Sequence, residues 1–93
     1  MKVLETPLFH RIVKKLNPTQ KKYLDEAVKT ILSDPTIGDP KKGDLAGIYV
    51  YKYRINSQNW LLAYSIESEE EIALRLVGPH ENFYQTLKRS PVN

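Results

Sequence analysis

The sequence predicts an α+β fold: an N-terminal strand, an antiparallel helical hairpin packed on one face of a small antiparallel β-sheet, and a short C-terminal helix. Two observations predict it. Apolar residues recur at helical spacing through the first third of the chain, and they alternate with polar residues or run nearly continuously through the second half. Patterns segregated in this way are typical of helices gathered on one face of an antiparallel sheet.

The chain begins with a short lead, Met1–Thr6, which we expect to be an edge strand. Thr6-Pro7 then indicates a helix start, because a threonine hydroxyl can cap free amides and proline suits the first helical position. The helix has an apolar face made of Leu8, Phe9, Ile12, Val13 and Leu16.

The second helix has a complete start signal. Asn17 is the predicted N-cap, Pro18 the first helical residue and Gln20 the return partner of a capping box, while Asp34-Pro35 ends the helix. The apolar stripe between these signals consists of Tyr23, Leu24, Ala27, Val28, Ile31 and Leu32. Because so few residues join the two helices, we expect an antiparallel hairpin.

A polar connection, Thr36–Gly47, shows no periodicity and is predicted to be irregular. Ile48–Ile55 then alternates strictly, which indicates a strand. The face expected to meet the helices carries Tyr49, Tyr51, Tyr53 and Ile55. The opposite face carries Ile48, Val50, Lys52 and Arg54.

Two further strands complete a predicted meander, Trp60–Ile66 and Ile72–Val77. The turns between strands are placed at Asn56–Asn59 and Glu67–Glu71. The last strand is expected to direct Ile72, Leu74 and Leu76 toward the helices and Ala73, Arg75 and Val77 away from them.

The end of the chain is predicted from a break and a short apolar pattern. Gly78-Pro79 is expected to end the last strand, and Asn82–Arg89 is long enough for a short helix, or else runs along the sheet. On either interpretation the sheet face opposite the hairpin has no obvious cover. That face is therefore expected to be solvated or to bind a partner.

Composition limits the class of protein. The chain has 93 residues, so we expect one domain over residues 1–93. It has no cysteine, which excludes disulfide scaffolds and cysteine catalysis. No apolar run reaches the roughly 18 residues of a membrane span, so we expect no membrane association and a cytoplasmic location. The formal net charge of +3 suits a polyanionic partner.

Chemistry is expected on the uncovered sheet face. The sequence has no nucleophile motif, no phosphate-binding glycine loop and no metal-ligand spacing, so we expect neither a metal nor another cofactor. The remaining candidates are Lys52, Arg54, Arg75, His80 and Tyr84. Such a patch suits RNA, because cations hold phosphates, histidine exchanges protons near neutral pH and aromatic rings stack unpaired bases. The alternative interpretation is a solvated face without chemistry.

Three local patterns occur in a specific order: Gly43-Asp44-Leu45-Ala46-Gly47 before the strand Tyr49–Arg54, then Leu61-Leu62-Ala63-Tyr64, then Gly78-Pro79-His80-Glu81-Asn82-Phe83-Tyr84. The second is similar to an "R-L-x-Y" strand and the third to a closing "G-H-R-x-x-x-Y" motif. In this order and spacing they resemble the RelE/ParE superfamily of bacterial type II toxin–antitoxin toxins, over nearly the whole chain.

The resemblance implies a RelE-like fold and a toxin neutralised by a cognate antitoxin protein. In the RelE branch the activity is metal-independent cleavage of mRNA in the ribosomal A site, so mRNA and the ribosome are implied partners. In the ParE branch the target is DNA gyrase. The free toxin is expected to be a monomer and its antitoxin complex hetero-oligomeric.

Residue by residue, the resemblance implies catalytic roles for Lys52, Arg54 and His80. Lys52 and Arg54 match two basic strand positions that bind phosphate and serve acid–base steps. His80 falls where the RelE type has an arginine and where some relatives have a catalytic histidine. Tyr84 matches an aromatic residue that stacks on the substrate base. Arg75 and Lys42 are further expected RNA-binding residues.

Two places depart from the resemblance, and both weaken the expectation of nuclease activity. Gly78-Pro79-His80 stands where the family has Gly-His-Arg. Leu61 stands where the family has an arginine that clamps phosphate, and Arg75 is the candidate substitute. Three hypotheses therefore stay open. The chain is an mRNA endonuclease, a non-catalytic inhibitor of gyrase, or an attenuated toxin that only binds its antitoxin.

Overall fold

The structure is a computed structural model that describes residues 1–89 of the chain. In chain order its elements are β1 (Lys2–Glu5), α1 (Pro7–Lys14), α2 (Pro18–Ser33), β2 (Asp39–Pro40), a 3₁₀ turn (Gly43–Leu45), β3 (Tyr49–Ile55), β4 (Gln58–Ser68), β5 (Glu71–Pro79) and α3 (Phe83–Arg89). The strands form one sheet in the order β1-β5-β4-β3-β2. The predicted α+β architecture, with its N-terminal strand and C-terminal helix, is confirmed.

Both predicted helix starts are confirmed by their hydrogen bonds. The Thr6 hydroxyl oxygen accepts a hydrogen bond from the Phe9 amide at 3.2 Å. In the capping box, the Gln20 amide donates to the Asn17 side chain at 2.8 Å and the Asn17 amide donates to the Gln20 side chain at 2.9 Å. These bonds satisfy amides that the first helical turn leaves without partners, so the sequence defines each start locally.

The strands β3, β4 and β5 form the predicted antiparallel meander, and β1 is an edge strand that pairs parallel to β5. The hairpin turns are tighter than predicted. Ile55 pairs with Gln58, so only Asn56 and Ser57 make the first turn. Asn56 has a φ of 55°, a left-handed conformation that asparagine tolerates better than most residues.

The second turn and the end of β5 also differ from prediction. Ser68 pairs with Glu71, which leaves the residues between them as the turn. The predicted end of the last strand at Val77 is two residues too early, because Gly78 pairs with Leu61 and Pro79 with Trp60. Proline is tolerated there because β1 pairs with β5 only from Glu71 to Leu74, so β5 is an edge strand at Pro79.

The connection predicted to be irregular contains regular structure. Asp39 and Pro40 of β2 pair with β3, and the Lys41 amide donates to the Ile48 carbonyl at 2.9 Å. The buried Tyr64 hydroxyl donates to the Pro35 carbonyl at 2.7 Å and accepts from the Gly38 amide at 2.9 Å. This connection is therefore tied to the sheet at two places.

The two sheet faces form two cores. The helix-side core consists of Phe9, Leu24, Ala27, Ile31, Ile55, Trp60, Leu62, Tyr64, Ile72, Leu74 and Val77, with Tyr49, Tyr51 and Tyr53 packed against it. The predicted orientation of the three tyrosines toward the helices is confirmed.

The second core corrects the expectation that the opposite face is uncovered. It consists of Leu45, Ile48, Val50, Leu61, Ala63, Leu76, Phe83 and Leu87. Helix α3 and the 3₁₀ turn supply apolar side chains that cover the middle of this face. At the far end of β3, beyond this covered area, Lys52 and Arg54 are exposed.

A β-bulge in β5 explains another difference. Ala63 pairs with Leu76 and the next residue, Tyr64, pairs with Leu74, so Arg75 is the extra residue of β5 at this register shift. An extra residue in a strand reverses the faces of those that follow. The prediction for Leu76 and Val77 is therefore wrong: Leu76 belongs to the second core and Val77 to the helix-side core.

Within residues 1–89, no helix has the length and apolar content needed to cross a membrane. The predicted domain over residues 1–93 includes residues 90–93, which lie outside the described residues, and it stays a prediction.

Candidate functional site

Lys52 and Arg54 lie on β3 and point away from the helix-side core. Val50, two residues earlier, belongs to the second core, and alternation places Lys52 and Arg54 on that same face. Both residues are exposed, and the Arg54 guanidinium donates to the Ser57 carbonyl at 3.2 Å. The turn therefore restrains Arg54 while leaving most of its donors accessible.

His80 reaches the same end of the sheet from β5. Its amide donates to the Asn59 carbonyl at 3.0 Å, and Asn59 of β4 pairs with Arg54 of β3. Neighbouring strands lie about 4.8 Å apart, so Arg54 and His80 are roughly 10 Å apart along this row of backbones. Two residues further along the strands, on the same face, Lys52 of β3 pairs with Leu61 of β4, which pairs with Gly78 of β5. The register thus brings the three predicted catalytic residues together.

Tyr84 adds an aromatic ring beside His80. It lies in the first turn of α3, half-buried against the second core. Its ring centroid is 6.3 Å from that of His80 and 5.5 Å from that of Phe83, both in edge-on geometry. Packing by Phe83, which is buried, holds the ring of Tyr84 at the margin of the open face.

Sequence reasoning missed Lys41, which lies against Tyr84, and Asp39, which binds Lys41. The Lys41 ammonium is 5.3 Å from the centroid of the Tyr84 ring and 2.8 Å from the Asp39 carboxylate. The hydrogen bond from Lys41, followed by its charge, lowers the pKa of Asp39, and the charge of Lys52 acts in the same direction. The hydrogen bond to Asp39 raises the pKa of Lys41 against the opposing effect of burial, and Tyr84 adds to the rise.

Lys42, a predicted RNA-binding residue, is also next to Tyr84. It lines an open depression of about 260 Å³ whose other lining residues are Lys41, Asp44, Leu45, Tyr84 and Lys88. Three of the six lining residues, Lys41, Lys42 and Lys88, are lysines, so the depression extends the positive surface from β3 toward α3.

Arg75 lies elsewhere. Its guanidinium donates to the Ser65 hydroxyl at 2.8 Å and is 3.6 Å from the Glu67 carboxylate, with its side chain 12% exposed. Along the second face, Ala63 and Leu76 of the second core separate this position from Lys52. The expectation that Arg75 shares a patch with Lys52 and His80 is not met, because Ser65 and Glu67 hold its side chain away from them.

Leu61 has a structural role. It is 1% exposed and belongs to the second core, directly across from Lys52 on the neighbouring strand. Its backbone pairs with Lys52 and Gly78, so this position forms the apolar floor next to the cationic side chains.

The described residues bring together charged and proton-exchanging groups rather than metal ligands. Within residues 1–89 no group of three or more His, Asp or Glu side chains is placed to hold a metal ion. Lys52, Arg54 and Lys41 supply positive charge, His80 supplies an imidazole and Tyr84 supplies a stacking surface. This combination can bind a phosphodiester next to an unpaired base.

Comparison with known proteins gives a family and a fold. The family model of ParE-like toxins of type II bacterial toxin–antitoxin systems matches residues 3–88. A search of curated protein sequences gives no significant match.

Solved structures from E. coli share the fold. The chain superposes on the RelBE toxin–antitoxin complex with a TM-score of 0.67 and 21% identity, over 86% of this chain and 96% of that one. The isolated RelE toxin gives a TM-score of 0.66 and 21% identity, over 95% and 96% of the two chains. A RelE variant bound to a peptide of its antitoxin gives a TM-score of 0.66 and 20% identity, over 97% of both chains.

Proposed function

This chain belongs to the ParE-like toxins of type II bacterial toxin–antitoxin systems, and we propose that it is an endoribonuclease that cuts mRNA at the ribosome and so inhibits translation in the cytoplasm. The observation that carries the proposal is the convergence of Lys52, Arg54 and His80 at one end of the sheet, beside the ring of Tyr84. The fold shared with RelE is consistent with it.

The proposed reaction uses the RNA's own nucleophile. The 2′-hydroxyl of one nucleotide loses its proton and attacks the adjacent phosphorus, and the bond to the departing 5′-oxygen breaks as that oxygen gains a proton. The products are a 2′,3′-cyclic phosphate and a free 5′-hydroxyl. Negative charge builds up on the phosphate oxygens during attack, so preorganised cations lower the barrier.

Each residue has a proposed role in these steps. Lys52 and Arg54 bind the scissile phosphate and stabilise its developing charge. His80 exchanges a proton with a reacting oxygen, since imidazole is the side chain best suited to proton transfer near neutral pH. Tyr84 stacks on the base beside the cleaved bond and fixes the geometry for in-line attack.

The test is cleavage of ribosome-bound mRNA by the purified protein. Lys52→Ala, Arg54→Ala and His80→Ala are each expected to slow cleavage roughly 100-fold or more. Lys29→Ala, which removes an exposed lysine from α2 on the other side of the sheet, is the control and should retain full activity. Cleavage that is unchanged in all three site variants would refute the proposed function.

A cognate antitoxin is the second part of the proposal. Family membership and the two E. coli structures in which RelE is bound to its antitoxin support a protein partner of this kind. The net charge of +3 favours an acidic segment in that partner. We expect purification of the co-expressed pair to yield a hetero-oligomer, and an acidic-segment deletion that leaves binding unchanged would contradict the charge argument.

Inhibition of DNA gyrase is the alternative function. Leu61 favours it, because a buried apolar residue replaces the arginine that the nuclease branch uses. A supercoiling assay at saturating protein separates the two functions. Relaxed DNA together with intact mRNA would assign the chain to the gyrase branch, and normal supercoiling would exclude that alternative.

A further inference from the structure

We propose that Lys41 is a substrate-binding residue held in place by Asp39, and that its ammonium contacts the RNA phosphate next to the base stacked on Tyr84. This inference rests on the proposed ribonuclease function and extends it to two residues that the proposed mechanism does not use. It assigns Lys41 a direct contact and Asp39 a positioning role.

The first argument is the restraint on the Lys41 side chain. Its ammonium is 2.8 Å from the Asp39 carboxylate and 5.3 Å from the centroid of the Tyr84 ring, and the side chain is 26% exposed. A surface lysine normally samples many rotamers and loses that freedom when it binds a ligand. Here the charged end is already ordered, so less conformational entropy is lost when a phosphate arrives.

The second argument is the backbone that carries the pair. Asp39 belongs to β2, and the Lys41 amide donates to the Ile48 carbonyl at 2.9 Å, which continues the pairing with β3. Residues two apart in an extended segment share a face, so Asp39 and Lys41 point the same way. Both side chains therefore project from backbone that is hydrogen-bonded to the sheet, and not from a free loop.

The third argument is charge. Asp39 pairs with Val50 of β3, two residues before Lys52 on the same face, and the charge of Lys52 lowers the pKa of Asp39, as the charge of Lys41 does. Asp39 is 73% exposed and so is reachable by solvent and ligand. A phosphate that binds between Lys41 and Lys52 would meet two ammonium groups, one from the segment that follows β2 and one from β3. An ammonium has three N–H donors, so contact with Asp39 does not prevent one with phosphate.

The fourth argument is the geometry around Tyr84. Lys41 lies over its ring, while His80 and Phe83 meet the ring edge-on. A base that stacks on Tyr84 would place its own phosphate within reach of a cation at the ring. Lys41 would then connect the stacking residue to the phosphate site formed by Lys52 and Arg54.

The experiment measures binding of a short fluorescent single-stranded RNA to the full chain by anisotropy, over a series of salt concentrations. Lys41→Met is the main variant, because it keeps most of the apolar stem against Tyr84 and removes only the charge. It is expected to weaken binding roughly tenfold, as for one charged hydrogen bond. It should also reduce the slope of log affinity against log salt by about 0.7, the value for one phosphate contact on a single strand.

Control variants separate this role from a structural one. Lys41→Arg should restore binding to within about threefold, and Lys29→Ala should leave it unchanged. The melting temperature of Lys41→Met should match that of the unmodified chain. Asp39→Asn should weaken binding by about threefold although it removes a negative charge. A purely electrostatic effect of Asp39 would instead tighten binding.

The outcomes distinguish the two proposals. If Lys52→Ala weakens RNA binding and Lys41→Met does not, the role of Lys41 is overturned and the proposed function stands. If the unmodified chain neither binds nor cuts RNA, both are overturned. If Asp39→Asn weakens binding equally with and without Lys41→Met, Asp39 does not act through Lys41 and its positioning role is overturned.

Discussion

Tyr64 is the residue whose hydroxyl holds the connection between α2 and β2. The hydroxyl donates to the Pro35 carbonyl and accepts from the Gly38 amide, and the side chain is fully buried. The approach is close, because a Cβ added at Gly38 would lie 2.6 Å from the Tyr64 hydroxyl oxygen. Tyr64→Phe therefore removes both hydrogen bonds and leaves a buried donor and a carbonyl without their partner.

The magnitude follows from these two bonds. A hydrogen bond contributes about 0.5–1.5 kcal/mol net, so Tyr64→Phe should lower the free energy of unfolding by roughly 1–3 kcal/mol. Urea denaturation followed by circular dichroism measures this value. Hydrogen exchange at the Gly38 amide should also accelerate, because its acceptor is lost.

Tyr49→Phe is the matched control for this prediction. The Tyr49 ring stacks on Tyr64 with centroids 5.5 Å apart, and this variant deletes a hydroxyl from a half-buried ring without touching the two hydrogen bonds. It should change the free energy of unfolding by no more than about 0.5 kcal/mol. Equal stability of the two variants, or unchanged exchange at Gly38, would refute the anchoring role of Tyr64.

Four further predictions concern burial. The buried Tyr53 hydroxyl has no hydrogen-bond partner within residues 1–89, so Tyr53→Phe should leave the free energy of unfolding unchanged or raise it by up to about 1 kcal/mol in urea denaturation. Burial also raises the pKa of Tyr53, so the native state keeps a proton that the unfolded chain loses; stability should fall above about pH 10, and less steeply in Tyr53→Phe. Leu62→Ala should cost roughly 2–5 kcal/mol and Glu69→Ala less than about 0.5 kcal/mol, and thermal melts in the reverse order would contradict the assigned burial. Leu61→Arg should lower the free energy of unfolding by roughly 3 kcal/mol rather than restore a phosphate clamp, because it places a charge in the second core. An unchanged melting temperature would show that this position is open to solvent.

Amino-acid sequence by itself determined the elements whose signals are local. The capping residues Thr6 and Asn17 act within one helical turn, and the strict alternation of β3 assigns each side chain to a face. The same alternation placed Lys52 and Arg54 together, since neighbours on one strand face need no knowledge of the rest of the fold.

Tertiary structure decided what depends on pairing between distant segments. The bulge at Arg75 arises only when β5 pairs with β4, and it moves Leu76 into the second core. Helix α3 covers the middle of a face that looked open, because its apolar residues Phe83 and Leu87 gain a partner surface only after the sheet forms. Neither the bulge nor the covering by α3 produces a periodic pattern in the sequence from which it could be predicted.

The candidate site shows the same division. His80 follows the last strand, so its proximity to Arg54 could be expected from a three-stranded meander. Lys41 could not be found in this way, because Asp39-Pro40-Lys41 looks like an ordinary polar loop. Only the pairing of β2 with β3 and the packing of α3 bring its ammonium against Tyr84, which is why the cation beside the stacking ring was visible only in the folded chain.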